Sequence, residues 1–327
     1  MNTLKLPTPL TSARRLSTCA GLVAALSGAA VSQAADILMT AGDGAGQSSF
    51  ASGLHWPGTL APSAGNAYFN NNFLLRTATD GNNYTFGGDS LKITSGSALG
   101  ADLNASLMFK GSAASTTITV NNLTIDGGNL RHGGGDAQTF TLAGNGLTVG
   151  NAGMGVHIQG PTFITAPVFG SGEIRILDNG STSAARTLHF ASALNTFNGN
   201  INLVTANRSR FSLDSGADLD FTIGASGVNN RVFGSGVANF DGTFNFDLSG
   251  ASSNPGDSWT IVDVGTVAET FGSTFNVAGF AQNGTLWTSG NYAFDQATGV
   301  LTSVPEPAPM ALITICGLCL VALRIRK

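Results

Sequence analysis

The sequence predicts an all-β chain wound as a parallel β-solenoid, with a β-sandwich as the alternative, and three observations carry that expectation. Short runs with apolar residues at every second position recur through residues 36–303, turn residues separate them, and some pieces repeat at intervals suited to stacked coils. Composition agrees. Of 327 residues 44 are glycine, 42% are hydrophobic and only 10% are charged, against about 25% charged in an ordinary globular chain. Such a composition favours collapse over a solvated chain and so disfavours disorder.

In chain order the runs are 91–93, 117–120, 123–125, 140–142, 147–149, 173–177, 200–204, 211–213, 219–223 and 244–248. Each alternates, and Gly, Asn or Asp follows it, as expected of a strand that ends in a tight corner. The pattern Leu-Thr-(Ile/Val) begins at Leu123 and again at Leu147, a spacing that suits one coil. Val168-Phe169-Gly170-Ser171-Gly172 returns as Val232-Phe233-Gly234-Ser235-Gly236, an interval that predicts three coils between the copies and about eleven in all. Residues 36–90 are less regular and hold His55, Trp56 and Tyr68. They are expected to form an N-terminal β cap, because an open solenoid end is an aggregating strand edge. The body is then 91–303, with a C-terminal cap from about 254.

The two ends differ from the body. Residues 1–35 carry Lys5, Arg14 and Arg15 with no acid, then an apolar stretch over 20–31, then Ser32, Ala34 and Ala35 as small residues around a cleavage point. That order is the layout of a signal peptide for Sec export, removed near Ala34 or Ala35 by signal peptidase. At the other end Val304-Pro305-Glu306-Pro307 precedes an apolar run over 310–323 and the basic tail Arg324, Arg326 and Lys327. The prolines hold the segment extended, the apolar run forms a short transmembrane helix, and the cations stay on the cytoplasmic side. Cys19, Cys316 and Cys319 all lie in these end segments, so the body has no disulfide framework and no thiolate metal site. Between the ends, nine Lys and Arg face eighteen Asp and Glu, a net charge of -9. An acidic body without a basic run disfavours a nucleic-acid partner.

Two resemblances follow. Residues 304–327, with their Pro-Glu-Pro motif, short apolar helix and basic end, resemble the sorting signal of the PEP-CTERM exported proteins of Gram-negative bacteria. The resemblance implies recognition of Val304, Pro305, Glu306 and Pro307 by an exosortase, cleavage nearby, and release to the outer membrane, cell surface or extracellular matrix. The run Leu194-Asn195-Thr196-Phe197-Asn198-Gly199, after Gly170-Ser171-Gly172, is similar to the repeat of autotransporter-associated β-strand proteins, and Gly256-Asp257-Ser258-Trp259 is similar to their terminal cap. This second resemblance implies a right-handed β-helix and a surface role. It supplies no β-barrel translocator.

The search for chemistry gives little. His55, His132, His157 and His189 have no partner at metal-ligand spacing and are expected as surface or turn residues, so neither a metal nor another cofactor is expected. Gly133-Gly134-Gly135-Asp136 matches a single unit of a calcium-binding repeat, and one unit cannot build a site shared between turns. The best carboxylate group is Asp214, Asp218 and Asp220, with Arg208 and Arg210 nearby. If Leu219 and Phe221 point inward, Asp218 and Asp220 share the outer face. That would suit the alternative reading, a β-helical polysaccharide lyase or hydrolase. The leading expectation is a non-enzymatic exported protein, structural or adhesive in the envelope, biofilm or exopolysaccharide matrix, whose contacts are extracellular polysaccharide or neighbouring envelope proteins.

Overall fold

The protein was analysed as a computed structural model, which describes residues 35–110, 114–265 and 270–305. The expected signal-peptide residues Ser32 and Ala34, the motif residues Glu306 and Pro307, the basic tail and both expected terminal helices lie outside the described residues. Within them the chain is a β-solenoid of parallel strands, closed by one antiparallel sheet, and the only helical piece is a 3-10 turn at Pro57–Thr59. All ten runs read from the sequence fall on strands.

Three faces build the coil. The first stacks Ala35–Leu38, Asn66–Phe69, Ser90–Thr94, Leu123–Asp126, Leu147–Val149 and Val168–Gly170. It continues through residues 194–198, which are not a strand yet donate from Thr196 N to Val168 O (3.0 Å) and from Asn198 N to Gly170 O (3.1 Å). Above them come Asp218–Thr222, Thr243–Asp247 and Asn276–Val277. The second face stacks eight strands, from Leu75–Arg76 and Ser106–Phe109 through Asn129–His132, Met154–Ile158, Ile174–Ile176, Ile201–Leu203 and Val232–Gly234 to Val262–Asp263. The third runs from Tyr84–Thr85 to Val237–Phe240 in seven strands.

Strand alternation turns one side chain in two inward, and in-register stacking lines these up as columns. Leu91, Leu123, Leu147 and Val168 form one, and Ile118, Leu142, Ile164, Phe190, Leu213 and Phe240 another. Every member is at most 1% exposed. At about 1.5–3 kcal/mol per buried side chain, these columns are the main favourable term in a body without disulfides.

Three expectations need correction. Leu123 does pair with Leu147 in the next coil, but coil length is not constant. The sequence interval between stacked partners shortens from Leu91 and Leu123 to Leu123 and Leu147, and again to Leu147 and Val168. Corners of unequal length take up the difference, so the first face has ten levels and the second eight, not eleven. The two Val-Phe-Gly copies are also not one position three coils apart. Val168–Gly170 lies on the first face and Val232–Gly234 on the second. What they share is a strand end: Gly170 and Gly234 have φ of 97° and 115°, and an added Cβ would sit 2.2 Å from Val149 O and Leu203 O respectively. A corner of this kind selects glycine on either face.

Residues 36–90 are not purely a cap, since four of their strands are already in the parallel ladders, from Ala35–Leu38 paired with Asn66–Phe69 to Tyr84–Thr85 paired with Thr116–Thr119. Residues 39–59 fold across the open end. Phe50, Trp56, Tyr68 and Phe86 cluster there with ring centroids 5.0–5.3 Å apart, and the buried Asp43 carboxylate accepts from Ser49 N, Ser49 Oγ and Arg76 N at 2.6–2.9 Å. At the other end, Ser258–Thr260, Ala281–Asn283, Leu286–Ser289, Tyr292–Asp295 and Val300–Ser303 form the antiparallel sheet. Beneath it the core turns aromatic around Phe244.

Of the four histidines His55 lies in a turn as expected, and His132 departs furthest from expectation. His132 lies inside a strand and is 1% exposed, packed against Phe109 at 4.9 Å. His157 and His189 sit half-buried in strands, and His55 is half-buried in the N-terminal crossing. An imidazole is accepted in the core because its neutral form is mostly apolar, and here it hydrogen-bonds Thr162 Oγ1 (3.3 Å). Burial pushes the His132 pKa down to about 4. The sign follows directly. The unfolded imidazole takes a proton near pH 6.5 and the folded one resists it, so His132 stabilises the fold fully above about pH 6.5 and loses that contribution as pH falls through about 4. The full effect is about 3 kcal/mol. His132→Leu should therefore flatten the fall in denaturation midpoint between pH 6.5 and 4, and an unchanged slope would contradict the assignment.

Candidate functional site

The outward side of the first face, at its upper levels, holds polar side chains in a concavity. In Asp218–Thr222, Leu219 and Phe221 point inward at 1% exposure, which places Asp218, Asp220 and Thr222 outside. The next strand is in register, so Asp218, Asp220 and Thr222 face Thr243, Asn245 and Asp247. The level below contributes Thr196 and Asn198, and the three levels line a cleft of about 560 Å³ with the half-exposed Phe246 as its apolar wall.

Local bonds hold this row. Asn245 Nδ2 donates to Asp220 Oδ1 (2.9 Å). Asn230 accepts from Thr222 N (2.7 Å) and donates to Asp220 O (2.8 Å), fixing the strand from its far side. Asp218 is pushed above the usual carboxylate range by burial and by the Asp220 charge, and Asp220 by burial. Groups with raised values favour the fold below the ordinary carboxylate pKa and lose that contribution as pH rises, so at neutral pH this pair is kept against stability. Asp247, fully exposed and bonded by Ser249, is held below the usual range. Carboxylates, amides and hydroxyls repeating at coil spacing can donate to and accept from a chain of hydroxyl groups.

The five residues singled out from sequence do not converge. Asp218 and Asp220 share the face. Asp214 instead accepts from Ser212 Oγ (2.8 Å) and bonds His189 Nδ1 (2.8 Å) beside the third face. Arg208 pairs with Asp178 (2.7 Å) and Arg210 donates to Thr182 O (3.1 Å). Asp136 of the triple-glycine segment is paired with Arg186 (2.7 Å). Among the described residues no three His, Cys, Asp or Glu side chains are grouped to hold a metal ion.

Sequence reading missed Asn245 as the partner of Asp220, and Thr196 and Asn198 as lining of the same cleft. The signal was present: Asp218-Leu219-Asp220-Phe221-Thr222 and Thr243-Phe244-Asn245-Phe246-Asp247 share an alternation one coil apart. It also missed Asn195, 3% exposed, whose amide joins three levels by accepting from Val168 N (2.9 Å) and donating to Ser192 O (2.8 Å) and Asp218 O (3.0 Å). Comparison of the chain with family models, with curated proteins and with solved structures gives no match in any of the three.

Proposed function

We propose that this is a non-enzymatic exported protein of the cell surface or extracellular matrix, a substrate of an exosortase-type system, and structural or adhesive in role. The observation that carries the molecular role is the in-register polar row Asp220, Asn245, Thr222 and Asp247 on a rigid coil, which offers hydrogen bonds at fixed spacing along a cleft. Such a row suits multivalent contact with a glycan or envelope protein. The dispersal of Asp214, Arg208 and Arg210 onto other partners weighs against the lyase or hydrolase reading, which needs them together. Export and sorting rest on the residues at the two ends. The first strand starts at Ala35 and the last ends at Ser303, so cleavage after Ala34 and near Val304 leaves every paired strand intact.

Intact mass of the protein recovered from the cell surface or medium tests the proposal. The expected species begins at Ala35 and ends close to Val304 or Pro307. Recovery of a surface species that still carries residues 310–327 would refute exosortase processing and leave a plain membrane anchor. Recovery only in the cytosol with residues 1–34 attached would refute export.

A further inference from the structure

The second face of the solenoid carries charge of the opposite sign to the body. Arg76, Arg131 and Arg175 lie on Leu75–Arg76, Asn129–His132 and Ile174–Ile176, which are the first, third and fifth strands of that sheet. Their neighbours Leu75, Leu130, Ile174 and Ile176 are at 0% exposure, so the three arginines alternate outward. Arg76 and Arg131 stand in one register column, joined through Met108. Arg175 stands in the adjacent outward column, which continues through Asn202 to Phe233. Arg231, two strands beyond Arg175, precedes Val232–Gly234 and places its guanidinium 4.7 Å from the centre of the Phe233 ring. Adjacent strands are about 4.8 Å apart, so the row, slanted by one side-chain position, repeats a cation about every 10 Å along the coil axis.

These guanidiniums are under-used. Elsewhere the cations Lys92, Arg186 and Arg208 are paired with Asp126, Asp136 and Asp178. Among the described residues Arg76, Arg131 and Arg175 have no ion pair. Arg76 donates to Gly44 O (2.8 Å) and Arg131 to Leu103 O (2.6 Å), while the Nε of all three is shielded from solvent without an acceptor. Each guanidinium has five N–H donors in a planar fork. Of the acids near the row, Glu173 accepts from Asn202 (3.0 Å), Asp102 from Asn104 N (2.9 Å) and Asp178 from Arg208 (2.7 Å), while the exposed Asp263 stands beyond Phe233 at the upper end of the second column. Burial and the like charge of Arg76 disfavour the protonated form of Arg131, a tension that the Asp102 charge offsets in part and a bound anion would relieve further. On the strand between Arg131 and Arg175, His157 stands beside Arg131 and Gly155 beside Arg175, with the Asn129 amide and the Gly100 backbone packed over Gly155.

We propose that this second face is the docking surface for a linear acidic polysaccharide, one carboxylate or sulfate lying in the fork of each arginine of the row. A row of forks about one disaccharide apart matches a polymer whose charge repeats along an extended chain, and arginine takes such groups bidentately. A nucleic-acid duplex fits worse, since it carries a charge every ~1.7 Å of axis, far denser than the arginine row. The inference gives a partner to the matrix role proposed above and rests on that role only for where the polymer is met.

The test uses full-length protein, with binding to polygalacturonate, dextran sulfate, neutral dextran and duplex DNA measured at fixed salt. Polygalacturonate or dextran sulfate should bind, neutral dextran should not, and Arg131→Gln with Arg175→Gln should weaken binding on the order of tenfold per arginine. Arg208→Gln, which removes a paired cation, should leave affinity unchanged. Arg175→Gln alone serves if the double variant is unstable, because among the described residues the Arg175 side chain has no hydrogen-bond or ion-pair partner to lose. Equal affinity in the arginine variants, or tighter binding of DNA than of either polyanionic glycan, overturns the proposal. Loss of surface recovery with glycan binding intact would instead overturn the matrix role and leave this surface standing.

Discussion

Phe244→Ala should lower stability by about 3–5 kcal/mol, the range for emptying a fully buried aromatic site. Phe244 is 0% exposed and is the hub of the upper core. Its ring centroid lies 4.8 Å from Phe221, 4.9 Å from Phe240, 4.9 Å from Phe275 and 6.0 Å from Phe294. Those rings come from the first face, the third face and the antiparallel cap, so a cavity there detaches the cap as well as removing contacts. In a stack of nearest-neighbour coils the damage stays local. The fluorescence of Trp259 and Trp287, both in the cap sheet, should therefore report unfolding at lower urea than far-ultraviolet circular dichroism does. A shift under about 1 kcal/mol, or coincident transitions, would contradict this picture of the upper core.

Asn195→Ala should cost about 3 kcal/mol. The substitution strands the N–H of Val168 and the carbonyl of Asp218, while the Ser192 carbonyl keeps only the longer bond from Asp218 N (3.3 Å), and each buried group left without a partner costs about 1–3 kcal/mol. Asn195→Asp separates bonding from shape. It keeps the acceptor for Val168 N but loses both donors and sets a carboxylate against two carbonyl oxygens. Its destabilisation at neutral pH, read from chemical denaturation, should exceed that in mild acid, where the new carboxyl can donate once. Equal loss at both pH values would show that size, not the amide's bonds, matters at this position.

These two residues show what the sequence displays and what it hides. Alternation such as Leu123-Thr124-Ile125 is local, since it follows from a strand with one wet side, and it located all ten runs. The pairing of Leu123 with Leu147 was readable for the same reason, because two equal patterns stood one coil apart. Asn195 was noticed within an Asn-Thr-Phe pattern, but two of its three partners lie on other levels, and no local periodicity marks an amide that bonds backbone. Val168 and Val232 misled because a glycine corner looks the same on any face. His132 misled because imidazole counts as polar in a sequence and as mostly apolar in a core. In the candidate site, Asp218 and Asp220 on one face followed from alternation, whereas the departure of Asp214 to His189 depended on where the chain turned after Leu213. The arginine row was invisible because Arg76, Arg131, Arg175 and Arg231 stand two coils apart in sequence, at unequal intervals, and come together only when coils of unequal length are stacked.

The last strand, Val300–Ser303, lies between Ser258–Thr260 and Tyr292–Asp295 and pairs antiparallel with both. Antiparallel bonds run perpendicular to their strands. Tension applied at the chain beyond Pro305 thus acts along this strand and across both of its ladders together, so the bonds resist in shear and not one after another. The coils beneath, whose ladders run along the axis, are shielded from that load by the sheet that closes them.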